Sequence, residues 1–259
     1  MHFYNRIAYF ISVVAVVGLG LLQSAYSYSF TSDFTSGIYW QSYPISITAV
    51  GSDAGQANTL HSITTEAIQA WEDQLGVNLW VMSSPAVGGV GGNNIRWSTN
   101  FAAETGHNSS STLAVAIRYA TGPYFAKTEI ILNANQGRLS HPANLKKVIM
   151  HELGHTINLD HSNVLNSIMG AYYESVNGLT SDDINGANAV VSETQARQIS
   201  GYIAPQFQNQ EESNAFSSCG TIDTSGGGGP GGNFLSLLMG LLIVAIMSGI
   251  PGIRAKSTL

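Results

Sequence analysis

The sequence predicts an α+β domain, and three observations predict it. Short runs rich in Val, Ile and Tyr recur through the first half of the chain. One long stretch with apolar residues three and four apart interrupts them. Two further helical stretches come after the last of these runs instead of alternating with them, so strands precede helices along the chain.

Residues 45 to 50 alternate apolar and polar side chains and read as a strand. Between 58 and 75 the apolar positions Leu60, Ile63, Ala67, Ile68, Trp71 and Leu75 mark one face of an amphipathic helix. Glu66, Glu72 and Asp73 read as its wet face. Residues 78 to 82 and 94 to 98 are short strand candidates around a Gly-rich loop, and 113 to 119 and 128 to 133 are stronger ones. A second helix carries Leu145, Val148 and Ile149 on its buried face, with Ser140 or Asn144 as its cap and Pro142 in its first turn. A last helix begins near Ser181, whose hydroxyl can cap it, with Asp182 and Asp183 placed well against the helix dipole.

Composition narrows the function. The chain has 259 residues, 44% of them apolar and only 10% charged, with a net charge of -6. Its 10 Lys and Arg are scattered, so no basic stripe offers itself to nucleic acid. One cysteine, Cys219, excludes a disulfide framework within the chain.

Both ends are apolar. Residues 1 to 27 read as a signal peptide: Arg6 supplies the positive region, residues 11 to 22 the apolar core, and Ala25-Tyr26-Ser27 the small-residue cleavage site. An uncleaved anchor helix is the alternative, and either reading carries the next residues out of the cytoplasm. Residues 233 to 259 hold an apolar run of bilayer-spanning length, with Arg254 and Lys256 immediately after it. This end reads as a transmembrane or sorting tail, a membrane contact in either case. The Gly-rich stretch SGGGGPGG lies within 206 to 232, read as a flexible linker. That leaves 28 to 205 as the folded unit.

The chemistry lies in the second helix. In His151-Glu152-Leu153-Gly154-His155 the two histidines are four apart and stack on one helix face, where both imidazoles can share a zinc. Glu152 is one step round and can reach a metal-bound water. His161 is ten residues beyond His151, which on an unbroken helix is ~15 Å along the axis. It can return to the metal only if the helix ends soon after His155. Asn158 lies midway, and Asn readily takes the left-handed conformation that terminates helices.

HELGHTINLDHS resembles the long zinc signature of metzincin peptidases, and the serine after the third histidine is similar to that of the matrixin branch. Ser167-Ile168-Met169-Gly170 resembles the Met-turn below the metal in that clan, TSDDINGANAVV its C-terminal helix, and STLAVAIRY the edge strand beside the cleft. The resemblance covers roughly residues 38 to 191. It implies a metzincin-like twisted mixed sheet with an active-site helix and a C-terminal helix, and zinc-dependent peptide hydrolysis. His151, His155 and His161 would hold one catalytic Zn2+, and Glu152 would be the base. Met169 and Asn158 would support the site, and substrate would lie extended along the edge strand. Tyr172 and Tyr173 are candidates for the oxyanion or the specificity pocket, with packing as the competing role.

Three departures stand out. Asn158 replaces the signature glycine. Val115 stands where many matrixins place a histidine for a structural zinc, and nearby His107 is alone, so no second zinc is expected. No cysteine precedes residue 219, so the propeptide thiol that keeps many matrixins latent has no counterpart. Ca2+ has no recognisable loop pattern to support it.

The reading is therefore an exported zinc endopeptidase, acting on protein or peptide substrates at the cell surface or in the periplasm. Its tail either anchors it or is cut by a processing protease, with Cys219 as a candidate processed site. The alternatives are a non-catalytic zinc-containing binding module, against which Glu152 argues, and a narrowly specific envelope processing peptidase.

Overall fold

The computed structural model describes residues 28–89, 91–173, 178–208 and 215–223. The expected signal peptide, the Gly-rich stretch and the apolar tail lie outside the described residues. Among the described residues no helix is long and apolar enough to cross a membrane.

A mixed sheet forms the scaffold, as the α+β reading expects. Its strands are β1 (Ile45–Gly51), β2 (Trp80–Val87), β3 (Asn94–Ser98), β4 (Thr112–Thr121), β5 (Tyr124–Asn133) and β6 (Ala215–Asp223). They lie in the order β2-β1-β3-β5-β4-β6. β1 pairs in parallel with β2 and β3, β3 with β5, while β4 runs antiparallel to β5 and β6 antiparallel to β4. The helices are α1 (Ser32–Thr35), α2 (Ala54–Leu75), α3 (Phe101–Thr105), α4 (Pro142–Thr156) and α5 (Ser181–Ser200).

The strand boundaries differ from the sequence reading for local reasons. β2 runs on to Val87 through Pro85, which is tolerated because β2 is at the sheet's edge and a missing ladder donor costs little there. β4 and β5 extend toward each other until Thr121 pairs with Tyr124 across a two-residue turn, Gly122-Pro123. β6 is the larger correction. Residues 215–223 lie within the stretch read as linker, yet they pair along the whole of β4. An unpaired strand edge carries a row of backbone donors and acceptors that any extended segment of the chain can satisfy. Ile222 adds an apolar anchor, buried among the core residues.

α2 and α4 pack against one another over one face of the sheet. Both bury in the core the side chains the periodicity identified, among them Leu60, Trp71, Leu145 and Ile149. Each such side chain, fully buried, contributes on the order of 2 kcal/mol. The Trp71 indole N–H donates to the Met150 carbonyl at 2.9 Å, giving its one polar atom a partner inside the core. Glu72 departs from the wet-face reading. It is half-buried, and Oε1 accepts from the amides of Leu79 and Trp80, tying the end of α2 to the start of β2.

Helix starts also differ from expectation. α4 begins at Pro142 with no side-chain cap. Ser140 bonds within a preceding 3-10 turn, and Asn144 accepts from Tyr173 instead. α5 is capped by Thr180, not Ser181, in a reciprocal capping box with Asp183. On the sheet's far side, Val115 packs with Phe101, Ile131 and Ile117 in a small apolar cluster.

Candidate metal centre

α4 delivers two of the three histidines. His151 and His155 are buried near its C-terminal end, with ring centroids 4.6 Å apart. The helix then stops as the Asn158 reading requires. Ile157 is the last cap residue, Asn158 has φ 80°, and the Leu159 amide reaches back to the Gly154 carbonyl at 3.1 Å. The reversal brings His161 to 5.3 Å from the His151 ring and 4.9 Å from the His155 ring. Ligand atoms of the three histidines all lie within 4.8 Å of one another, the one such group among the described residues. Asp160, beside His161, accepts the His161 amide at its Oδ1.

Several contacts fix the turn that carries His161. Residues 29–31 run beside it: Asp160 N–H donates to the Ser29 carbonyl (2.8 Å), Thr31 N–H to the Asn158 carbonyl (3.0 Å) and Ser29 Oγ to the His161 carbonyl (2.8 Å). The Thr31 hydroxyl donates to Asn158 Oδ1. Arg118 on β4 donates to the His155 carbonyl at 3.0 Å while paired with buried Asp33. Trp40 and Trp80 both donate to Thr156. Asn158→Gly is expected to be near neutral, because glycine adopts the same φ and only the Thr31 contact is lost. Asn158→Val is expected to weaken zinc binding, since a β-branched side chain is strained at positive φ. Zinc content of the two proteins after dialysis checks this, the valine variant losing metal first.

The imidazoles are oriented from behind. His151 Nδ1 lies 2.7 Å from the Ile168 carbonyl and His155 Nδ1 2.8 Å from the Leu159 carbonyl. A carbonyl only accepts, so both Nδ1 atoms carry the proton and both Nε2 atoms hold lone pairs. Those two Nε2 atoms face each other at 3.0 Å. Two lone pairs at that distance repel, and a shared cation converts the repulsion into ligation. Three converging imidazoles with carbonyl partners behind two of them are the donor set of a catalytic zinc. Burial, followed by the neighbouring His151, His161 and Arg118 charges, holds His155 well below the usual histidine range, favouring the neutral ligand form.

Glu152 also fits a site for a positive group. It is fully buried, and neither carboxyl oxygen has a hydrogen-bond partner. Burial pushes its pKa well above the ordinary carboxylate range, with the nearby Ala116 backbone and Arg118 acting in the opposite sense. The Ala116 amide faces the carboxyl without meeting full hydrogen-bond geometry.

Met169 lies beneath the helix. A Cβ added to Gly154 would overlap Met169 Sδ and crowd Cε and Trp71. Gly154→Ala is therefore expected to force the buried Met169 side chain into another rotamer and destabilise the fold by about 1 kcal/mol, read as a lower midpoint in urea. The turn's own shape depends on Asp183. Its carboxylate accepts from the Ser167 hydroxyl and from the amides of Ile168 and Met169, both at 3.0 Å. It also closes the α5 capping box through the Thr180 amide at 2.8 Å. By sequence Asp183 is a helix-end charge. The Thr180-to-Asp183 spacing signals the cap, but nothing in it signals the tertiary bonds.

A family model for matrixins, a metallopeptidase family, matches residues 40–191, more than half of the chain. The chain belongs to the matrixin family. No individual curated protein is matched by the sequence. The match spans strands β1 to β5, the three histidines and the Met-turn, so the metzincin-like reading of the fold stands. So does its coarse chemistry: a zinc metallopeptidase acting on proteins or peptides.

The two tyrosines after the Met-turn separate. Tyr173 donates its hydroxyl to Asn144 at 2.7 Å and lies under Arg138. Asn144 is seven residues before His151, about 10 Å along the helix. Tyr172 is 38% exposed. A cavity of about 720 Å³, lined by residues such as Gly51, Arg96 and Gln136, includes none of the metal-site residues.

Proposed function

We propose that this matrixin is an endopeptidase that cleaves extracytoplasmic proteins, with Glu152 as the proton-transfer group. The observation that carries the reading is the unpartnered, buried carboxyl of Glu152, the residue next to His151 on the helix that supplies two of three converging imidazoles. His151, His155 and His161 would hold zinc. When bound, zinc supplies Lewis acidity, making a water acidic and a carbonyl electrophilic.

The chain's own groups do the rest. The Ile168 and Leu159 carbonyls lock two imidazoles with Nε2 forward. Glu152 takes a proton from the attacking water at one carboxyl oxygen and returns it to the departing amine nitrogen. Its dry surroundings raise its proton affinity, which suits the first half of that task. A substrate main chain would pair with β4. Tyr172, the more exposed tyrosine, is the better placed of the two to meet a substrate side chain or oxyanion, and Tyr173 supports the wall. Export by residues 1 to 27, and retention or processing at 233 to 259, rest on the apolar ends of the sequence.

Incubating residues 28–208 with casein and a peptide library, with and without a chelator, tests the proposal. Cleavage that stops on chelation and returns with zinc is expected. A zinc-loaded protein that cuts nothing would favour the binding-module alternative.

A further inference from the structure

β4 has two edges. β5 takes one. The other lies on the side of the metal site: α4 packs against β4, and the Glu152 carboxyl sits by the backbone of Ala116. An extended peptide arriving at this site would find its main-chain partners there, by strand addition.

That edge is already filled. Residues 215–223 run antiparallel along it, with Asp223 opposite Thr112, Gly220 opposite Ala116 and Ala215 opposite Thr121. α4 packs against β6 as well. Gly220 of β6 is thus in register with Ala116, the residue whose backbone lies by the Glu152 carboxyl. Paired strands lie about 4.8 Å apart, so a second peptide cannot share the edge. Ile222 fixes the far end, 4% exposed within the main core cluster. Only six residues, 209–214, separate Gln208 from the first residue of β6. A tether that short gives a segment an effective concentration in the millimolar range.

We propose that residues 215–223 are an autoinhibitory strand, seated where a substrate main chain would pair with β4. Naming its competitor a substrate rests on the peptidase reading. The occupancy does not, and the test separates them. A substrate must displace a competitor present at millimolar local concentration, so the protein is silent toward weakly bound peptides until the strand is peeled away or cut off. Anything that removes the chain after residue 208 activates it.

The test uses the full-length protein carrying Glu152→Ala, so that no probe is cut. It is compared with the same protein carrying Gly220→Pro and Thr221→Pro. Successive strand amides point to opposite sides, so one of the two prolines removes a ladder donor to β4. The probe is a fluorescein-labelled nonapeptide of residues 215–223 with Cys219→Ser, read by anisotropy. Binding at least tenfold tighter to the proline protein is expected. Equal affinity, or binding to neither, overturns the proposal and makes β6 a permanent structural strand. Ile222→Asp, which removes the anchor by a different route, must give the same result and covers misfolding of the proline variant. In proteins retaining Glu152, kcat/KM on a quenched peptide is expected to rise at least tenfold with the prolines. If neither protein hydrolyses anything while holding zinc, the peptidase reading fails, and the anisotropy result still decides the strand.

Discussion

Glu152→Ala is expected to keep one zinc per chain and to lose peptide hydrolysis by on the order of a thousandfold. The zinc is kept because the three imidazoles, and the carbonyls behind two of them, do not involve this side chain. The activity is lost because the ligand group found among the described residues is three histidines and supplies no carboxylate to replace Glu152. Removing a buried, unpartnered carboxyl also removes a cost: it makes no hydrogen bond in the folded protein, and its desolvation is unfavourable. The variant is therefore expected to be at least as stable as the parent without metal. Metal content, thermal midpoint and kcat/KM measured on one preparation check all three statements. Residual activity within tenfold of the parent would remove Glu152 from the mechanism.

Asp183→Ala has the second-largest expected effect, and it acts without touching the metal. Asp183 gathers the Ser167 hydroxyl and the Ile168, Met169 and Thr180 amides around one buried carboxylate. Alanine leaves the buried Ile168 amide and the half-buried Thr180 amide without an acceptor, while the Met169 amide keeps Ser167 Oγ at 3.1 Å, costing about 3 kcal/mol at 1–3 kcal/mol for each orphaned group. In a domain of this size that lowers Tm by roughly 10 °C. The consequence reaches the metal because Ile168 offers its amide to Asp183 and its carbonyl to His151 Nδ1. Zinc affinity is expected to drop about 10- to 100-fold, the usual effect of losing a group that orients a ligand. Asp183→Asn, which keeps one acceptor, should fall between. Unchanged affinity in the alanine variant would mean that the Met-turn holds its shape unaided.

The parts of this site legible in the sequence are those governed by local rules. Spacing of four puts His151 and His155 on one face, and the conformational preference of Asn158 locates the break that returns His161. Strand character places most of β1, β3, β4 and β5, since alternating or continuous apolar runs report burial directly. What stays hidden depends on partners distant in sequence. Glu72 reads as solvated until the first amides of β2 are seen to bond to it. Asp183 reads as a cap until the Met-turn folds beneath it. β6 is the sharpest case: a polar stretch beside a Gly-rich tract looks like tether, and only the open edge of β4 makes it a strand.

Three imidazoles sharing one zinc are the foundation of this chemistry, and His161 is the ligand whose position depends most on the fold. Zinc competition titration against a chromophoric chelator, on the parent and on His161→Ala, measures this directly. One zinc per chain in the parent, and at least 100-fold weaker binding in the variant, is the predicted result. A parent that binds no zinc, or a variant that binds it equally well, would contradict the central claim.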